Sequence, residues 1–190
     1  MSESNDRWLH CAMQSPPLPD PVAGSDVARA TLRQLAATLA YRAAKVLRDV
    51  PPGFGETTIG PATRRPVQIV AHMADLMAWG VSMAQGGREW KAGGSDEWDC
   101  EVARFFDGLA ALDVALAAEG PFAGKIDKII QGPLADALTH VGQLALLRGI
   151  SGAPVRPESY ARATIVVGRV GPDQASPGFE FDGDASARRR

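Results

Sequence analysis

The chain has 190 residues, 45 % of them apolar and 22 % charged, with 22 acidic and 20 basic residues and a formal net charge of −2. That length suffices for one domain with a sizeable core, and the charge balance leaves no strong field to recruit nucleic acid or an anionic membrane. No run approaches the roughly 18 apolar residues of a membrane span.

The two cysteines, Cys11 and Cys100, lie in no CxxC pattern, so they build no disulfide framework and a reducing, cytoplasmic setting is the expectation. Glu3, Asp6 and Arg7 near the start do not fit a secretory signal. Arg188, Arg189 and Arg190 read as a solvated tip rather than a binding patch.

Residues 1–24, rich in Ser, Pro and Asp, read as an extended N-terminal arm. Ser25 is placed as the N-cap of a first helix over 25–49. Val27, Leu32, Leu35, Leu39, Ala43, Val46 and Leu47 form its buried stripe, and Pro51 and Pro52 end it. A second helix over 66–85 opens with Pro66 and stops at Gly86 and Gly87. The third spans 96–119, with Phe105, Phe106, Leu109, Leu112 and Leu116 on one side, and Gly120 and Pro121 close it. A short apolar piece, Lys125 to Ile130, precedes Pro133, which is read as opening a fourth helix over 132–149. Ala163 to Val170 is β-branched enough for a short strand or an extended arm. Ile165, Val166, Val167 and Val170 are too apolar for a free tail, so 153–170 should pack on the helices and 171–190 should bury little. The layout is thus an arm (1–24), an all-α four-helix bundle (25–150) and a C-terminal arm and tail (151–190).

The second and fourth helices carry the chemistry. Val67, Val70, Met73, Met77 and Val81 line one face of the second, widened by Ile69, Leu76 and Met83. Its internal polar residues, Gln68, His72 and Asp75, fall with Trp79 within a sector of roughly 60°. On the fourth, Leu134, Ala137, Leu138, Val141, Leu144 and Ala145 make the apolar face. Asp136, His140 and Gln143 occupy another sector of roughly 60°. Asp136 and His140, one turn apart, project from the same side. With His72 facing them they offer two imidazoles and a carboxylate to one divalent ion, leaving a coordination position open. Gln68 or Asp75 is a candidate to orient His72, and Gln143 to orient His140. The plainer alternative makes Asp136 and His140 an ordinary ion pair and His72 a core residue.

Two segments carry a family resemblance. Pro66-Val-Gln-Ile-Val-Ala-His72-Met-Ala-Asp75 resembles the second-helix motif of the DinB-like, or YfiT-like, superfamily. Asp136-Ala-Leu-Thr-His140-Val-Gly-Gln143 resembles its fourth-helix motif, commonly HxxxHxGQ. The similarity in helix order covers residues 25–150. It implies a four-helix bundle, often dimeric, with a divalent metal at one end of the core. His72 matches the first of three family histidines and His140 the last. Asp136 stands where most members have the middle histidine; the related mycothiol-dependent maleylpyruvate isomerases place a carboxylate there.

The ion expected is zinc, with nickel, iron and manganese open because an oxygen ligand hardens the site. The function expected is that of a metal-dependent enzyme, a thiol-dependent transferase or isomerase or a hydrolase, that activates a thiolate or water for a small-molecule substrate. Its partners would be a low-molecular-weight thiol and a second copy of the chain. The alternative is a non-catalytic metal- or ligand-binding sensor or stress-response bundle using the same ligands; a third reading is a metal-free helical oligomer. A pocket at the metal lined by Trp79 and the C-terminal arm, with Glu158, Tyr160, Arg162 and Arg169 covering it, would favour the enzyme; those four residues read equally well as parts of a surface arm.

Overall fold

The computed structural model describes residues 26–181, and every regular element among them is helical. The long helices are α1 (Asp26–Leu47), α2 (Pro66–Ala84) and α3 (Trp98–Ala117). A fourth rod is built from a short α4 (Ile126–Ile129), one wide π turn (Ile130–Leu134) and α5 (Ala135–Ile150). Ser25, the arm 1–24 and the tip at Arg188 to Arg190 lie outside the described residues. No helix among the described residues is long and apolar enough to cross a membrane.

Alanines make α1 slim. Ala36, Ala37, Ala40, Ala43 and Ala44 are buried beside Leu32, Leu39, Val46 and Leu47, so neighbouring helices approach its backbone closely. Val27, expected in this stripe, is 75 % exposed; it sits in the first turn, short of the core. The helix stops before the prolines, at Asp49 with φ 51°, a left-handed residue of the kind that ends helices. Its last carbonyls are satisfied from across the fold. The Arg148 guanidinium donates to the carbonyls of Val46 (3.0 Å), Arg48 (2.6 Å) and Asp49 (3.2 Å), a cation at the negative end of a helix dipole.

Two helices flank α1, namely α3 and α5, and the same two flank α2. The consecutive helices α1 and α2 thus lie diagonally across a shared core of Leu39, Met73, Met77, Phe105, Leu109, Leu112 and Leu144. α2 and α3 touch most intimately. A Cβ on Gly108 would lie 2.9 Å from the Cβ of Met77, so only glycine allows that approach.

Pro133 does not open the fourth rod. It lies inside the π turn, and α4 begins seven residues earlier, at Ile126. A proline without an N–H leaves a gap in the hydrogen-bond ladder; the chain absorbs it by widening one turn, held by the buried Ile129 and Leu134.

The C-terminal segment forms no strand over Ala163 to Val170. Val155 and Val170 pack on the core, while Val166 is 50 % and Val167 42 % exposed; the apolar run as a whole is therefore not what fastens this arm. A buried ionic cluster does the fastening. Glu158 accepts from Tyr41 Oη and Lys45 Nζ, both at 2.8 Å, and Lys45 also pairs with Glu180 at 2.8 Å. Burial and the bond to Glu158 push the Tyr41 phenol up to about 12. Residues 171–181 consequently bury more than their composition suggests: Gln174 is 7 % exposed and donates to the carbonyls of Arg169 and Gly171.

Candidate metal centre

The site lies where α2 meets α5. Arg65 precedes α2 in extended conformation, and its N–H is taken by Gln68 Oε1 at 2.9 Å. With Pro66 in the first turn this fixes where the helix starts and hence which residues turn toward α5. His72 follows on that side, 22 % exposed. On α5, Asp136 is in the first turn after the π segment, and His140, one turn on, is buried at 7 %.

The three side chains converge. Asp136 Oδ1 is 3.3 Å from His140 Nε2, and Asp136 Oδ2 is 3.4 Å from His72 Nε2. The imidazoles meet edge to face with centroids 4.9 Å apart, and one ligand atom from each residue lies within 4.8 Å of the others. The two oxygens of one carboxylate thus each face a different imidazole, at separations longer than the about 2.7–2.9 Å of a charge-assisted N–H···O bond. Among the described residues no fourth His, Cys, Asp or Glu joins the group. The donor set of two nitrogens and one carboxylate thus fits a divalent transition-metal ion with one position left open.

Burial, the neighbouring His140 and the positive charge of Arg64 together hold His72 below the ordinary imidazole range, against the opposing pull of Asp136. His72 is therefore neutral at pH 7, with a lone pair to give. His140 Nδ1 lies 2.7 Å from Gln143 Oε1. That oxygen accepts, so Nδ1 is the donor and Nε2 is the ring nitrogen turned toward Asp136.

The other expected partners divide. Gln68 and Asp75 line a cavity of about 380 Å³ that touches His72, yet neither orients the His72 ring. Gln68 is engaged by Arg65. Asp75, 5 % exposed, accepts from Arg104 Nη1 at 2.7 Å and from the Gly93 N–H. Arg104 in turn donates to Glu101 at 2.8 Å and to the Ala71 carbonyl at 2.8 Å. Burial alone would raise the Glu101 carboxyl, but hydrogen bonds from Ser95 and Arg104 outweigh it and hold the group low. This cluster staples the segment between α2 and α3 back along α2; its function is to position that loop.

The stapled loop brings in Trp90. Its ring meets His72 at 5.7 Å and Trp79 at 5.7 Å, both edge to face, so Trp90 covers one side of the His72 imidazole. In the sequence its one signal is an aromatic residue in a polar, Gly-rich connection. The C-terminal arm, by contrast, contributes nothing to the cavities beside the site. Glu158 is committed to Tyr41 and Lys45, Tyr160 to Arg42, Arg162 to Phe179 and Arg169 to the Asp173 carbonyl. Trp79 does line a cavity; the arm expected to face it lies against α1 instead.

Compared with known proteins, the chain finds no match among protein-family models, curated proteins or solved structures.

Proposed function

We propose that this protein is a metal-dependent enzyme of the DinB-like kind, a thiol-dependent transferase or isomerase or a hydrolase, whose divalent ion is held by His72, Asp136 and His140. The observation that carries the reading is the convergence of one ligand atom from each of those three residues within 4.8 Å. It is supported by the two helix motifs that resemble that superfamily. When bound, the ion supplies the Lewis acidity that makes a nucleophile of a thiol or a water at neutral pH.

The chain's own residues do the rest. His72 and His140 would hold the ion through ring nitrogens, and Asp136 would contribute the negative charge that offsets it. Gln143 holds His140 in the tautomer that leaves Nε2 free. Trp90 shields His72 from solvent on one side. Asp75 is not available as a general base, because Arg104 and the Gly93 amide occupy its oxygens. Three protein ligands rather than four favour an open, catalytic site over a closed structural one. The ion proposed is zinc, which accepts mixed imidazole and carboxylate ligands. A homodimer is proposed from the same resemblance, and light scattering decides it.

The test is elemental analysis of the purified protein, followed by a screen of low-molecular-weight thiols with electrophilic acceptors on the zinc-loaded form. Turnover that His140→Ala abolishes supports the reading. Stoichiometric metal with no turnover for any thiol or hydrolysable ester would favour a sensor.

A further inference from the structure

A second cavity, of about 540 Å³, opens at the far end of α2. Arg88, Lys125, Lys128 and Gln131 line it together with the apolar surfaces of Trp79 and Met83, and no carboxylate does. Of the nearby acids, Glu89 pairs with Lys91 at 3.2 Å, outside the cavity, while Asp127 stands 3.5 Å from Lys128 and offsets that one cation, leaving Arg88 and Lys125 as the cavity's charge. Among the described residues Arg88 and Lys125 make no ion pair. The cavity beside His72 has the opposite character, with Asp75 and Asp96 set against Arg64.

The wall between the cationic cavity and the ligand cluster is aromatic and closely fitted. Trp79 touches Trp90, which touches His72. A Cβ on Gly132 would lie 3.0 Å from the Trp79 ring, so the π turn presses that indole into place.

We infer that this cationic, Trp79-walled cavity binds a small organic anion with a flat apolar body. The cavity lies outside the ligand cluster, so its selectivity is testable apart from the metal reading. Excess positive charge in a partly desolvated pocket attracts an anion, and the indole face gives its apolar body a surface to pack on.

The test uses 4-phenylbutyrate, its uncharged amide and inorganic phosphate as probes, titrated calorimetrically into the full-length protein. Zinc is titrated separately into the same proteins. The expected result is saturable binding of 4-phenylbutyrate, at least tenfold weaker binding of the amide, and at least a tenfold loss for 4-phenylbutyrate in Arg88→Gln/Lys125→Gln. Zinc affinity should be unchanged in that variant. Both substituted positions are exposed, so the variant stays folded, which circular dichroism checks. No binding of 4-phenylbutyrate, equal binding of the amide, or indifference to the double substitution overturns the inference. Phosphate binding as tightly as 4-phenylbutyrate also overturns it, since the apolar wall would then contribute nothing. Anion binding without zinc binding would retain the cavity and remove the metal reading; zinc binding without anion binding would do the reverse.

Discussion

Replacing Gln143 by Leu separates the ligand site from the fold. Gln143 is exposed, and its one side-chain hydrogen bond goes to His140 Nδ1, at 2.7 Å. Without that acceptor the neutral imidazole is free to place its proton on either nitrogen. The tautomer with a protonated Nε2 cannot bind an ion on the Asp136 side. The ring also loses the contact that fixes its angle. Removing such an outer partner typically costs roughly 10–100-fold in metal affinity, or about 1.4–2.7 kcal/mol. Folding stability should change by less than about 0.5 kcal/mol, as for other exposed helix substitutions. Competition with a chromophoric chelator measures the zinc constant, and calorimetric melting of the metal-free protein measures stability. Gln143→Glu keeps an acceptor and should retain the affinity. Unchanged zinc binding in Gln143→Leu, with Asp136 and His140 intact, would refute the assigned role of the hydrogen bond.

Gly108→Ala should destabilise the fold although alanine is the better helix former. The gain of about 1 kcal/mol in propensity is set against a 2.9 Å clash with Met77 Cβ that only parting α2 from α3 relieves, at about 1–3 kcal/mol; a raised melting temperature would contradict this. Arg148→Met should cost about 1–3 kcal/mol by denaturant unfolding, because the buried guanidinium donates to carbonyls that end α1, the buried carbonyl of Val46 among them. Acid should unfold the protein through Glu101 and Glu158. Burial would raise both carboxyls, but Ser95 and Arg104 hold the first low, and Lys45 and Tyr41 the second. Their folded values lie below the unfolded one, so their stabilisation is present above about pH 4.3 and is lost as pH falls through the folded values. Urea titrations from pH 7 to pH 3 should show that loss, reduced in Glu101→Gln and Glu158→Gln.

The helices and the three converging ligands were legible because both rest on local periodicity. An apolar helix that confines its few polar residues to one sector announces them without tertiary information. That signal gave His72, Asp136, His140 and Gln143. It failed where a partner is distant in sequence. Asp75 shares the sector of His72 but belongs to Arg104, 29 residues on, and nothing local distinguishes those roles. Trp90 reaches the site because its loop is stapled by Asp75 and Glu101, which the connection's own composition does not reveal. Pro133 read as a helix start because proline is common there; a π turn through it is seen only once Ile129 and Leu134 are known to be buried. The C-terminal arm misled in the same way. Val155 and Val170 pack on the core but Val166 and Val167 are exposed, and the ion pairs of Glu158 and Glu180 with Lys45 tie the arm to α1.

The central claim is that His72, Asp136 and His140 act on one ion, and calorimetric zinc titration of the metal-free protein at pH 7 tests it most directly. The account predicts one ion per chain, with affinity falling in Asp136→Ala and His72→Ala by more than the roughly 10–100-fold of an outer-partner change, while both variants keep the helical content and melting behaviour of the parent. A well-folded protein that takes up no zinc, nickel, iron or manganese, or variants that bind as tightly as the parent, would contradict it.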